Sequence, residues 1–455
     1  MLFKPKYDII NNNITKAKLS MFEYINIIVS IVIFLATFWV MITEKAHRAV
    51  IAFFGAVIMA IVWNGLGFYS SEAILNSIDF NTILLLFGMM LIVAELEKTW
   101  FFQYLAIKTA KKTWWNLWYL IVYLWALTSG LSMFLDNVTT IILVVPVTLI
   151  ITKLLKLNPV PILMAVAMLS NIGWVATLIW DPPNIIIWSA AGYGFNTFII
   201  HSLPVVFVVW IIVLGFFRYY YREEFTHPQK GLKALMRMDE KKCIQNSIIL
   251  KKTLIILTAV IILFFLHEII HMSASAVALL WAASLVLWVS PHKDPKSIFK
   301  KVELSVLVFF VSLFVLVGWI EQAWVLNLAV DAMWELAQSN MLLTAIYVLW
   351  GSALLSALIW NIPMAVALIP VIAMLQSKWI YWVDMLWWAL VFWVWFGCNI
   401  TPIWSAAWLI VYGKAESNKT PISLKQWLKV WIPSTFFALS IASLALMLFE
   451  DFFMI

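Results

Sequence analysis

The stretch "FLHEIIHMSA" at residues 265–274 carries His267, Glu268 and His271 at the H-E-x-x-H spacing. On one continuous helix the two histidines would stand a turn apart on one face, able to hold Zn²⁺ while Glu268 polarised a water. Two other stretches set polar groups between apolar arms. "FLDNVTT" brings together Asp136, Asn137, Thr139 and Thr140, and "TLIWDPPN" brings Thr177, Asp181 and Asn184 around two consecutive prolines. Pro182 and Pro183 lack N–H donors and interrupt a helix, which frees carbonyls and exposes a half-helix N-terminus. Free carbonyls and a carboxylate suit Na⁺ or H⁺, whereas exposed N–H groups suit an anion. Zinc hydrolysis and ion binding are thus both written in the chain, and the surrounding elements must decide.

Those elements are apolar. Of 455 residues, 64% are hydrophobic and 12% charged, against about 25% charged in an average soluble domain. Runs at 25–42 and 253–266 approach or reach the roughly 20 residues that cross a bilayer core. The composition predicts an all-α polytopic membrane protein whose partner surface is the lipid bilayer. The net charge of +7 then reflects basic loops that orient membrane helices and calls for no nucleic acid. Cys243 and Cys398 lie far apart in sequence, so neither a disulfide framework nor a cysteine metal site is implied. Residues 1–20 are polar and the first apolar run is long enough to span, so no cleavable signal peptide is expected.

Sliding the chain on itself by 224 residues aligns three blocks without gaps: 78–100 on 302–324, 131–147 on 355–371, and 173–187 on 397–411. Asn137 falls on Asn361, Pro146 on Pro370, Thr177 on Thr401 and Trp180 on Trp404. The chain reads as an internal duplication, common among secondary transporters. At the same offset His271 falls on His47, while His267 falls on Thr43. The first histidine does not recur and no third ligand is evident. The H-E-x-x-H stretch therefore reads as the loop after each half's first helix, and an intramembrane zinc protease stays a remote alternative.

The predicted organisation is a polar tail at 1–24, a transmembrane repeat at 25–221, a cytoplasmic linker at 222–250 and a second repeat at 251–455. Each repeat holds about five transmembrane helices, including a paired segment with a polar middle (116–155 and 341–376) and a broken helix (161–192 and 385–411). If the paired segment returns to its starting side, each half crosses an odd number of times and the second half is inverted. With the N- and C-termini outside, all but five of the 30 Lys and Arg residues fall in cytoplasmic segments, as the positive-inside rule requires. The five are Lys4, Lys6, Lys16, Lys18 and Lys378. The expected location is the cytoplasmic (inner) membrane.

At "LSMFLDNVTTIILVVPVTLII", "NPVPILMAVAMLSNIG", "ATLIWDPPNIIIWSAAG", "LSALIWNIPMAVALIPV" and "NITPIWSAA" the chain resembles the ion transporter superfamily. Within it, the likeness is to the branch of citrate-transporter-like permeases, the arsenite pump membrane subunit and the melanosomal P protein. The resemblance runs from about residue 25 to 450. It implies inverted five-helix repeats, each with a re-entrant hairpin and an unwound helix, and alternating access by a moving transport unit. Hairpin-tip residues fall on Asp136, Asn137, Thr139 and Asn361; unwound-helix residues fall on Thr177, Asp181, Asn184, Thr401 and Ser405. Thr140, Asn171 and Asn399 complete the candidate binding set. No metal site and no resident cofactor are expected.

The function expected from these residues is secondary transport of a small anion, a carboxylate or an oxyanion such as arsenite, coupled to Na⁺ or H⁺. The alternative is a Na⁺/H⁺ antiporter in which Asp136 and Asp181 exchange a proton for a cation. A homodimer is the candidate assembly. One departure stands out: Trp occupies positions 100, 174, 180, 188, 319, 324 and 404, where the resembled pattern most often has Gly. Trp numbers 28 and Gly only 14, although membrane helices normally use more Gly than soluble ones. The excess and the deficit are complementary, as they would be if glycine codons had been read as tryptophan. The alternative is a genuinely Trp-rich chain. Under the first reading Trp174, Trp180, Trp360, Trp404 and Trp408 are expected around the central site and not in an interfacial belt.

Overall fold

The structure is a computed structural model. It describes residues 21–454 apart from 44, 67–70, 113–116, 134–136, 178–181, 225–231, 238, 290, 293, 301, 323–324, 357–360, 379–381 and 398–405. Among the described residues there is no strand, and 21 α-helices follow one another. The first ten are α1 (Met21–Ile42), α2 (Arg48–Leu66), α3 (Ser71–Ser77), α4 (Phe80–Glu97), α5 (Phe101–Lys112), α6 (Leu117–Ser132), α7 (Asn137–Leu155), α8 (Pro159–Trp174), α9 (Pro182–Ala191) and α10 (Phe195–Tyr220). The short α11 (Leu232–Arg237) lies between the halves. Then come α12 (Ser247–Leu266), α13 (Ala274–Val289), α14 (Pro295–Phe299), α15 (Leu304–Gln322), α16 (Val325–Ser339), α17 (Met341–Ser356), α18 (Asn361–Ser377), α19 (Asp384–Phe396), α20 (Ala406–Ser417) and α21 (Leu424–Leu448).

Local signals set these boundaries. Asp79 caps α4 by accepting from the N–H groups of Asn81 and Thr82. Asn246 caps α12 in the same way through Ile248 and Ile249, and Ser423 forms a capping box with Gln426 at the start of α21. Asn158 caps α8, with Pro159 at the first helical position where a missing N–H costs nothing. Five of the helices are long and apolar enough to cross a membrane by length and composition: Phe80–Glu97, Phe195–Tyr220, Ser247–Leu266, Leu304–Glu321 and Leu424–Leu448. The lipid-facing side of α12 is visible as an exposed stripe of Ile248, Ile255 and Ile262.

Helices α8 and α19 have no such side. Pro159 and every residue from Pro161 to Trp174 are buried in α8, and Met385 to Val394 are fully buried in α19. At about 1.5 Å per residue the 16 residues of α8 reach about 24 Å, short of the roughly 30 Å hydrocarbon core. The two buried helices pack on each other at the centre of the molecule.

Starts recur at the spacing found in the sequence: Phe80 and Leu304, Phe101 and Val325, Leu117 and Met341, Asn137 and Asn361, Pro182 and Ala406. Packing recurs with them. Helix α6 lies on α7 and α8 as α17 lies on α18 and α19, and α4 meets α13 as α15 meets α2. Two elements differ from the sequence-based expectation. The segment after α4, expected as a loop, forms α5, which bridges to α6 and α7; its counterpart α16 does the same in the second half. The inter-repeat linker also has structure. Its turn at Glu240–Cys243 sits on α5, where Lys111 donates to Glu240 at 2.6 Å and the N–H of Gln245 donates to the Thr99 carbonyl. That lysine bond holds the Glu240 carboxyl below the usual carboxylate range.

Helix α4 approaches α13 so closely at Gly88 that a Cβ there would lie 2.8 Å from the backbone carbonyl carbon of Ala278. Gly88→Val is expected to force the pair apart at a cost of about 1–3 kcal/mol, lowering the thermal unfolding midpoint in detergent. Gly215→Ala, where an added Cβ meets open space, is the control and should leave the midpoint unchanged.

Candidate functional site

The polar groups gather where α6 ends, α7 begins and the α8–α9 helix is interrupted. Along α6 the buried Thr128, Ser129 and Ser132 face α8. The Ser132 and Ser170 hydroxyls are 2.8 Å apart, and Thr128 satisfies its own hydroxyl on the Leu124 carbonyl at 2.8 Å. A Cβ at Gly173 would lie 2.6 Å from the Ser129 carbonyl oxygen, so glycine is what lets the two backbones meet. Asn171 is buried in this seam at 1% exposure.

Helix α8 then stops. The N–H groups of Ala176 and Thr177 turn back onto the carbonyls of Gly173 and Trp174, and α9 starts afresh at Pro182. Across the gap the Thr177 hydroxyl donates to the Met133 carbonyl at 2.7 Å, tying the broken helix to the connection between α6 and α7. Asn184 on α9 is fully buried and donates through Nδ2 to the Trp174 carbonyl at 3.4 Å. Its Oδ1 and the hydroxyl of the buried Thr140 on α7 have no hydrogen-bond partner among the described residues. A buried polar group left open is costly.

Of the residues singled out in the sequence, Thr140, Asn171, Thr177 and Asn184 are buried around this break, and Thr139 is half-buried on the same turn of α7. Asn137 and Asn361 begin α7 and α18; their side chains lie outside the described residues. Asp136, Asp181, Asn399, Thr401 and Ser405 also lie outside them, as do Trp180, Trp360 and Trp404. Trp174 and Trp408 are buried, at 6% and 5% exposure. The halves interlock here: α9 packs on α18 and α19, and α20 packs on α7 and α8.

The serine seam of α6 and α8 went unread in the sequence, although Thr128 and Ser132 stand one helical turn apart. Also unread was the bond from the Tyr193 hydroxyl to Asp384, 2.7 Å long, which joins the loop after α9 to the first turn of α19. Burial and that neighbouring carboxylate push the Tyr193 phenol well above its usual range.

The H-E-x-x-H stretch proves not to lie on one helix face. Helix α12 ends at Leu266 with His267 as its C-cap, and His271 sits in a left-handed turn at φ 53°. His267 is buried against Trp188 and Phe195, whereas Glu268 and His271 are exposed. Among the described residues no group of His, Cys, Asp and Glu could hold a metal ion.

Residues 38–393 match the profile of the citrate transporters, CitMHS. The chain belongs to that family. It is 34% identical to a 46 kDa membrane protein of Mycobacterium leprae, over 92% of this chain and 98% of that one. It is 36% identical to an uncharacterized transporter of Mycobacterium tuberculosis, over 87% and 92%. It is 28% identical to the human P protein over 86% of this chain, spanning 56% of that longer relative. Its fold resembles the YdaH transporter of Alcanivorax borkumensis, with a TM-score of 0.61 at 14% identity, covering 86% of this chain and 89% of that one. This is a multi-pass membrane transporter.

The Thr177 hydroxyl ties the end of α8 to the α6–α7 connection. Thr177→Val should lose about 1–3 kcal/mol by stranding the Met133 carbonyl, and Thr177→Ser should keep most of it. Thermal unfolding of the two purified variants, side by side, checks this ordering.

Proposed function

We propose that the chain is a secondary active transporter of a small anion, a carboxylate or an oxyanion, driven by Na⁺ or H⁺. The observation that carries this reading is the end of α8, buried through Thr177, with Asn184 Oδ1 and the Thr140 hydroxyl unpartnered among the described residues. The helix N-terminus at Asn137 offers N–H groups and a positive dipole end to an anion; α9, which opens on two prolines without N–H groups, offers its dipole end and the N–H groups of Asn184 and Ile185. Carbonyl and amide oxygens at the same break suit the driving cation. Asp136 and Asp181, acidic residues in apolar flanks, would carry the proton or bind the cation. The family's citrate name favours a carboxylate. The same two carboxylates support a second reading, Na⁺/H⁺ antiport without an anion.

In this proposal the second half is inverted relative to the first across the membrane plane. Charge supports it: α5 carries Lys108, Lys111 and Lys112, and its counterpart α16 carries Asp331 and Glu335. A basic bridging helix on the cytoplasmic face and an acidic one outside fit the positive-inside rule. Framework contacts are shared among α1, α2, α4, α12, α13 and α15, and site contacts among α6–α9 and α17–α20. The second group would move against the first during alternating access. The cytoplasmic membrane is the proposed location, with both termini outside and a homodimer as the assembly.

Purified protein in liposomes, given labelled citrate, other carboxylates and arsenite under imposed Na⁺ or pH gradients, tests the reading. Gradient-driven uptake of one of these anions is expected. Cation exchange with no anion uptake would replace it by the antiporter. Asp136→Asn should bring uptake down to the level of empty liposomes while helix content and thermal stability stay near wild type. Wild-type flux in that variant would remove Asp136 from the site.

A further inference from the structure

We propose that the native polypeptide carries glycine at a subset of the 28 tryptophan positions, because UGA codons in its gene are decoded as glycine. Genetic codes that give UGA to an amino acid differ in which one, and a tryptophan reading of a glycine codon would produce this composition. The structure separates two kinds of tryptophan.

Backbone conformation makes the first distinction. Among the described residues five other than glycine have positive φ, and two of these are Trp100 at 58° and Trp382 at 72°. A β-carbon is crowded in that left-handed region, which is why glycine takes it by default. Trp100 stands just past the end of α4, its N–H donating to the Glu97 carbonyl and its own carbonyl accepting from Tyr104 as α5 begins. A left-handed residue after a helix end is most often glycine. Trp382 opens α19, its carbonyl accepting from the N–H of Met385. The duplication places Trp324 opposite Trp100, so position 324 follows position 100.

Crowding makes the second. The ring centroids of Trp408 and Trp427 are 3.6 Å apart at a tilt of 43°, and those of Trp427 and Trp431 are 3.4 Å apart. Aromatic pairs prefer roughly 4.5–7 Å. Three indoles are thus forced into the space of two, with Trp427 in the middle and fully buried. Its indole N–H, like that of Trp431, has no acceptor among the described residues, although buried indoles usually find one.

Other tryptophans are well accommodated. Trp350 donates to the Ser443 hydroxyl at 2.9 Å, and Trp387 to Gln376 Oε1 at 3.1 Å. Trp118, Trp288 and Trp334 lie beneath the cations of Arg218, Lys252 and Lys378 at 5.2, 5.3 and 5.0 Å, contacts that reward an indole. The structure therefore assigns glycine to 100, 382 and 427, and tryptophan to 118, 288, 334, 350 and 387; the duplication alone extends glycine to 324. Trp174, buried as the last residue of α8, stands directly against the helix break. Glycine there would leave room beside Asn184, a consequence that rests on the transport reading; the sorting of the other positions does not.

Two measurements test the assignment. Tandem mass spectrometry of peptides from the protein purified from its own cells should read glycine at 100, 382 and 427, and tryptophan at 350 and 387. Tryptophan at 100 and 382 would overturn the proposal, and glycine scattered equally over both groups would overturn the structural sorting. In a heterologous host, the double variant Trp100→Gly/Trp382→Gly should unfold at a higher temperature than the chain as written, and Trp387→Gly at a lower one. A double variant no more stable than its parent would count against glycine at the left-handed positions.

Discussion

An interrupted helix inside a membrane needs partners for every backbone group it frees, and the bond from the Thr177 hydroxyl to the Met133 carbonyl is how this chain begins to supply them. Lipid offers no hydrogen bonds, so irregular backbone at membrane depth survives only when protein surrounds it. That requirement explains why α8 and α19, the helices that run into the interruptions, are buried on every side. It also explains the narrow seam against α6. Gly173 and the serine pair of Ser132 and Ser170 bring the α6–α7 connection near enough for Thr177 to reach it. Small residues and short hydroxyls carry helix contact in an apolar solvent, where hydrophobic attraction between helices is absent.

One half cannot meet that requirement alone. The second half-helix of each repeat packs on the other repeat, α9 on α18 and α19, and α20 on α7 and α8. The two repeats are thereby interlocked, and the bond between Tyr193 and Asp384 adds a polar tie between them. A duplicated chain gains something by this exchange: the open positions beside one break are enclosed by its counterpart and kept from lipid.

Much of this was legible before any coordinates. Alignment of the halves placed Asn137 opposite Asn361 and Pro146 opposite Pro370, and helices such as α4 and α15, α5 and α16, and α7 and α18 start at corresponding residues. The double proline at 182–183 marked the restart of a helix because two consecutive residues without N–H groups fit a first turn best, whereas single prolines such as Pro146 and Pro370 lie within helices. Single hydroxyls were harder to read. Ser and Thr in membrane helices mostly bond their own backbone, as Thr128 and Thr148 do; the double proline drew Thr177 out from these, but nothing in the letters separates them from Ser132, which bonds across elements. The H-E-x-x-H stretch, read from the duplication as the end of each half's first helix, falls there: spacing has meaning only on a continuous helix, and α12 ends at Leu266, just before the first histidine.

The bridging helices α5 and α16 connect the two groups of helices, and their sequences differ where their surroundings should differ. Helix α5 ends in Lys111 and Lys112, and its lysine side fastens the inter-repeat linker through Glu240. Helix α16 ends without a basic residue, and its Asp331 instead pairs with Lys378 after α18. Exposed ion pairs of this kind add little stability, on the order of 0–1 kcal/mol, so thermodynamic bracing does not account for them. What they do is choose a partner: α5 is held to the chain that joins the repeats, and α16 to the far end of its own repeat's site. Two helices equivalent by duplication are thereby tied to different neighbours, so an otherwise two-fold molecule has distinguishable ends.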